Sequence, residues 1–185
     1  MQLAVSPEQV LSSQLGRSEK LLWSGRPRQG VFFRARDTFL IPFSLLWGGF
    51  AIFWEYGVVT SDAPFFFRLW GVPFVLVGLY LIIGRFFVEA NLRSKTYYGL
   101  TNERVIIISG MLSRNVKSLQ LRSLSDVSLS EGAGGIGTVT FGPTAPAWTT
   151  GGAWPGASKT MSPAFDSIVG AREVFERITL AQKEA

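Results

Sequence analysis

One glycine pattern in the chain, Gly132-x-Gly134-x-x-Gly137, formally matches the dinucleotide-binding fingerprint. That fingerprint works only when a helix follows and turns its N-terminus toward the pyrophosphate. Here Thr138-Val139-Thr140-Phe141 follows. This run of β-branched and aromatic residues suits a strand, so the glycines read as an inter-strand loop. Histidine and cysteine are both absent. Their absence removes Ser-His-Asp catalysis, thiolate chemistry, disulfides and the usual zinc ligands. A Ser–Lys pair has Lys117, Lys159 and many serines to draw on, but no spacing selects one. Asp126 stands where a turn or strand start suffices, and Glu89, Glu103 and Glu131 form no recognisable pair. The expectation is a protein that is not an enzyme and uses neither cofactor nor metal.

Charge offers binding instead of catalysis. Lys and Arg number 18 against 13 Asp and Glu, a net +5, with a pI near 9.9. The cations concentrate beside two apolar stretches, where they serve topology and contact with anionic lipid, so no nucleic-acid partner is expected. Arg93, Lys95, Arg114, Lys117 and Arg122 are candidates for a surface that takes lipid headgroups or an acidic partner. The competing interpretation is solvated strand faces together with topology-setting charge. A second candidate contact is Trp148 with Trp154, inside the Gly-, Ala-, Thr- and Pro-rich stretch Pro143–Ser162, where Lys159 is the lone charge. A flexible loop is expected there; its tryptophans either enter a membrane interface, dock a partner, or cover the domain.

The elements that must position these residues start with two apolar spans, about Phe39–Val59 and Leu69–Val88. Each is roughly 20 residues, enough to cross a hydrocarbon core. Pro42 and Pro73 are placed in the first turns, and the short polar link between the spans makes an antiparallel hairpin. Gly48 and Gly49 are expected near Gly78 at mid-membrane, since small residues let backbones approach. Trp54, Tyr56, Phe65, Phe66, Phe67 and Trp70 cluster at the hairpin end like an interfacial belt. Arg26, Arg28, Arg34 and Arg36 precede the first span, and Arg85, Arg93 and Lys95 follow the second. By the positive-inside rule both termini are cytoplasmic. Residues 1–30 show no early apolar run, so the first span is expected to act as its own insertion signal. Glu55 and Arg85 lie near span ends, within reach of the interface.

Before the spans, Ser6-Pro7-Glu8-Gln9 reads as a capped helix start with Val10, Leu11 and Leu15 on one face. Lys20–Pro27 suits an edge strand. After the spans come strands at Thr96–Thr101, Arg104–Ser109, Arg114–Leu121, Ser125–Ser130, Thr138–Gly142 and Ala164–Val169. Imperfect alternation of Val116, Leu119 and Leu121 suggests a bulge in the third. From Ala171 the chain is helical, with Val174, Phe175, Ile178 and Ala181 on one face. Pairing of Glu173 with Arg177 and Arg172 with Glu176 is expected on the other.

Tyr98-Gly99-Leu100-Thr101-Asn102-Glu103-Arg104-Val105-Ile106 resembles the opening of bacterial pleckstrin-homology-like domains. The likeness continues through Ser109-Gly110-Met111-Leu112, Leu121-x-x-Leu124-x-Asp126-Val127, Gly137–Phe141 and Phe165-x-x-Ile168. Leu22-Trp23-Ser24-Gly25-Arg26-Pro27, followed by two spans, is similar to the membrane-anchored members. Order and spacing carry the resemblance, which covers most of the chain after Lys20. It implies an α+β membrane protein: a two-helix transmembrane hairpin plus an antiparallel β-sandwich or barrel with a C-terminal capping helix. The expected layout is an N-terminal cytoplasmic arm (1–38), the hairpin (39–88) and a cytoplasmic domain (89–185) with its flexible loop at 143–162. Six strands are visible where the fold has seven. The seventh comes from Leu21–Ser24 or from a segment inside Thr144–Met161. The family offers no catalytic residues to carry over. The expected function is a non-enzymatic interaction module at the cytoplasmic face of the bacterial inner membrane, with lipids and membrane proteins as partners, assisting the assembly or stabilisation of membrane complexes. The alternatives are an anionic-lipid-sensing module or, further off, a small membrane enzyme or transport subunit. Oligomeric state is left open.

Overall fold

The computed structural model describes residues 6–33, 37–111, 113–143 and 162–185. The chain divides into two compact units: one joins the residues up to Gly30 with those from Asn91 onward, and the other spans Val31 to Ala90.

In the first unit the run Val105-Ile106-Ile107-Ile108 explains the architecture. A strand with apolar side chains in succession must be covered on both faces. It forms the middle of β3 (Arg104–Ser109), which lies between β2 (Tyr97–Thr101) and β4 (Asn115–Gln120). The fourth strand is β1 (Leu21–Gly25), antiparallel to β2, so the sheet order is β1-β2-β3-β4. Leu21–Ser24 is therefore the source of the seventh strand. A second antiparallel sheet contains β5 (Val127–Glu131), β6 (Ile136–Phe141) and β7 (Ala164–Val169). Tyr98, Leu100, Val105 and Ile107 from one face of the first sheet share a core with Val139, Phe141, Phe165 and Ile168. The helix α5 (Ala171–Glu184) adds Ala171, Val174, Ile178 and Ala181 to that core.

The opposite face of the first sheet is covered by α1 (Pro7–Ser12). Ser6 caps it through the Gln9 N–H (3.4 Å), and Pro7 occupies its first turn. Leu11 is buried against Ile106 and Ile108, with Val10, Leu15, Leu21 and Tyr97 around it. A Cβ on Gly99 would lie 2.8 Å from Leu11 Cδ2. Glycine is thus the residue that lets α1 settle on the sheet.

The pairing is interrupted at two places, and neither is in β4. That strand pairs with β3 without a shift, and Leu121 belongs to the 3-10 turn Leu121–Ser123 that follows it. The uneven apolar spacing marks the end of a strand, not a bulge. One bulge lies at Leu22 in β1. It turns Leu21 toward α1 and Trp23 into the sandwich. The other sets Asp166 and Ser167 opposite Thr138. Ser167 has φ 51°, and its N–H donates to the Thr138 hydroxyl at 3.2 Å. Its carbonyl accepts from Arg28 N–H at 2.8 Å, which fastens the chain leaving β1 to β7.

In the second unit α2 (Asp37–Thr60) packs against α3 (Phe65–Leu79). A π-helical turn, Tyr80–Gly84, joins α3 to α4 (Arg85–Ser94), so the helical run Phe65–Ser94 is 30 residues long. Both helical runs are long and apolar enough to cross a membrane. Gly48 and Gly78 meet as expected: a Cβ on Gly78 would lie 2.9 Å from Gly48 Cα. Gly49 has open space around it and takes no part. The prolines sit deeper than expected, because the helices begin earlier, at Asp37 and Phe65. Arg85 is buried with Asp37 (Nη2–Oδ1 3.3 Å), and its guanidinium lies over the Phe86 ring at 4.6 Å. Glu55 points Oε2 at Gly71, where a side chain would collide with it.

Candidate functional site: a basic cleft beside the first helix

The connection from β3 to β4 begins at Gly110, whose φ of +146° and closeness to the Ser113 carbonyl exclude any side chain. This tight turn brings Arg114 up beside α1, where Nη2 donates to the Val10 carbonyl at 3.2 Å. Lys95, just before β2, reaches the same turn and donates from Nζ to the Met111 carbonyl at 3.1 Å. Together with Tyr97, Ile108, Ser109 and Ser113 these residues line a cleft of about 350 Å³. At Tyr97 the guanidinium of Arg26 lies over the ring, 4.4 Å from its centroid. Among the described residues no carboxylate lines the cleft, and neither Lys95 nor Arg114 has an acidic partner. The arrangement can hold an anion. It offers no general acid–base pair and no nucleophile with an activating base.

The other candidates go elsewhere. Arg93 is buried; Nη2 donates to the Gly30 carbonyl (2.9 Å), and its own carbonyl accepts from Gln29 Nε2 (3.3 Å). It ties together the two points where the chain leaves and re-enters the first unit. Lys117 pairs with Ile107 and shares the sandwich side of β4 with Leu119, the face opposite α1. Arg122 is exposed on the turn Leu121–Ser123. Trp148 and Trp154, with nearly all of the 143–162 loop, lie outside the described residues. Of the five cations the structure brings together Lys95 and Arg114.

The glycine pattern is resolved as a turn. Ala133–Gly135 form a 3-10 turn with positive φ at Gly134 and Gly135, and β6 follows directly. A Cβ on Gly137 would lie 2.7 Å from that of Ala171, so this glycine serves the packing of α5. Arg172 bonds Glu131 (2.6 Å) across to β5 where a Glu176 partner was expected, while Arg177 and Glu173 do pair along the helix (2.7 Å).

A polar hub not visible in local sequence forms at the start of β3, the end away from the cleft. Glu19 receives Arg104 at both oxygens, 2.8 Å each, together with the Gly16 N–H and the Thr101 hydroxyl, also at 2.8 Å. The Arg104 guanidinium, and then these other donors, hold the Glu19 carboxyl down at about 2 against the burial that opposes them. The same pairing raises Arg104. Arg104 also donates to the Gln14 carbonyl (2.9 Å), and Asn102 Oδ1 accepts from the Lys20 N–H (2.7 Å). Leu100-Thr101-Asn102-Glu103-Arg104 is thus a clasp that holds the N-terminal segment, and with it α1, on the first sheet. In the sequence, Thr101 and Arg104 stand out as part of the motif Tyr98–Ile106 that carries the family resemblance.

The bacterial PH domain family model matches residues 38–160. The chain belongs to that family. No curated protein and no solved structure matches it. The matched range takes in the helical hairpin as well as β2 to β6. The parts of the PH domain that lie outside it are α1 and β1 before, and β7 and α5 after.

Proposed function

We propose that the chain is a non-enzymatic, membrane-anchored interaction module, in which the hairpin tethers the PH domain at the cytoplasmic face of the bacterial inner membrane. Its work is to assist the assembly or stabilisation of membrane protein complexes. The observation that carries this is the place of the hairpin: it lies between β1, which ends at Gly25, and β2, which begins at Tyr97, and these strand ends are neighbours, Gly25 pairing with Tyr98. A domain held by two chain crossings stays close to the bilayer, so weak contacts with membrane partners suffice. Basic residues flanking the helices favour a cytoplasmic PH domain. Lys95 and Arg114 supply a surface for a partner.

The chain contains no cysteine, so single cysteines report cleanly. Asp62→Cys, in the hairpin loop, should react with an impermeant maleimide on intact cells, and Ser113→Cys only after permeabilisation. Photocrosslinkers at Ser113 should give discrete adducts with membrane proteins, lost on Lys95→Glu with Arg114→Glu. Labelling of Ser113→Cys from outside, or adducts unchanged by the charge reversal, would overturn the proposal.

A further inference from the structure

Two charges inside the hairpin identify what it pairs with, on the premise stated above that the hairpin spans a bilayer. We propose that two copies of this chain associate through their hairpins about an axis along the membrane normal, Glu55 of each copy bonding Arg68 of the other.

Glu55 lies five residues before Thr60, the last of α2, and Arg68 three after Phe65, the first of α3. At about 1.5 Å per residue both stand within roughly 8 Å of the hairpin mouth, at nearly one depth. Among the described residues neither has an ion-pair partner. Oε2 of Glu55 is buried and accepts no hydrogen bond, and Nε of Arg68 is buried and donates none. Arg68 spends Nη2 on the Ser61 carbonyl at 3.0 Å, while Asp62 in the link is exposed and does not bond it. Uncompensated charge this close to hydrocarbon is costly. Arg68 is further disfavoured by its place in the first turn of α3, where the helix dipole opposes a cation. Both side chains are half-buried, so each can be reached from outside its own hairpin.

The bilayer restricts what can answer these charges. Copies inserted with one topology are related by an axis along the normal, which sets each residue against its own level in the second copy. An acid and a base at one level therefore make the hairpin self-complementary, as an isologous contact requires. One such contact closes two ion pairs at once. A partner of other sequence would have to carry the opposite charges at that same level. Gly71 completes the arrangement: a Cβ there would collide with Glu55 Oε2 and lie 2.7 Å from Trp54 Cζ3. Glycine thus leaves the carboxylate its place in the seam between the helices.

Sedimentation equilibrium of the full chain in neutral, density-matched detergent should show a dimer. Glu55→Gln and Arg68→Gln should each raise its dissociation constant, by roughly tenfold for each of the two pairs lost. The decisive test mixes two reversals, Glu55→Arg in one chain and Arg68→Glu in another. Each variant alone sets like charges against like and should be monomeric. Together they oppose unlike charges at both contacts, so chains carrying different affinity tags should co-purify. A pair closed within one chain would leave them apart. A monomeric wild type, an unchanged dimer in either Gln variant, or reversed chains that keep wild-type helix content by circular dichroism yet fail to associate would overturn the proposal. Where a reversal lowers helix content, the two Gln variants decide, and they must weaken the dimer alike. Labelling of Asp62→Cys from outside alongside such a failure would leave the tethered module standing and remove only the dimer.

Discussion

Glu19→Gln is the sharpest test of the clasp that holds α1 to the sheet. The Glu19 side chain is 2% exposed and grips Arg104 at both ends. Its carboxyl titrates near 2 where 4.5 is ordinary. That difference corresponds to about 3 kcal/mol of stability at neutral pH, at about 1.4 kcal/mol per tenfold change. A depressed acid stabilises the fold fully above its ordinary value and loses that contribution as pH falls toward 2. The glutamine side chain still accepts the Thr101 hydroxyl but cannot balance the guanidinium, so the loss should reach roughly 2–3 kcal/mol. Hydrogen exchange of the full chain at neutral pH should show α1, β1 and β2 amides exchanging roughly 30- to 150-fold faster. Urea midpoints in neutral detergent should fall between pH 4.5 and 2 in the wild type, and that part of the profile should flatten in the variant. Arg104→Gln should cost more, about 3–5 kcal/mol, because it strands a buried carboxylate, whereas Arg104 is 31% exposed and can turn to water. Unchanged exchange in Glu19→Gln, or parallel acid profiles, would show that the ion pair does not hold the arm.

Other expectations follow from close contacts. Leu11→Ala should destabilise the PH domain by about 2–4 kcal/mol, since Leu11 is fully buried on Gly99 and Ile106; chemical unfolding of the full chain checks this. Gly78→Leu should loosen the hairpin, because Gly48 Cα leaves no room, while Gly49→Leu should be tolerated; thermal stability in detergent separates them. Ser167→Val should cost about 1–2 kcal/mol, as a β-branched residue at φ 51° is strained, and Ser167→Gly should not; the melting temperatures of the two variants give the ranking.

Much of the fold is readable from short-range pattern. The strands Arg104–Ser109 and Ala164–Val169 and the helix from Ala171 coincide with their structural bounds, because alternation, turn residues and helical spacing act over a few positions. What was not readable is what joins distant positions. Nothing near Leu21 says that its partner is Thr101. Glu19 and Arg104 are 85 residues apart, and Asp37 finds Arg85 only because the hairpin folds back. For the site, residue type picked out the basic residues, but sorting them required the sheet. Alternation sends Lys117 to the sandwich face while the β3–β4 turn sends Arg114 to α1. Arg93 looked like a headgroup contact and is a buried brace.

The placement of the hairpin between two paired strands bears on how the protein is made. Synthesis runs from the N-terminus, so β1 emerges before either apolar helix, while its partner β2 emerges after both. Through that interval Leu11, Leu21 and Trp23 lack the strands β2 and β3 that cover them. Bringing Gly25 to Tyr98 across so long an unstructured loop would cost roughly 4 kcal/mol. A formed hairpin removes most of that cost, because its base is already clamped by Asp37 with Arg85 and by the Phe33 ring against Phe86. Sheet closure thereby waits on the pairing of the two helices. A chain whose helices have failed to pair keeps its first strand unpaired and its apolar arm exposed, the form that proteases recognise.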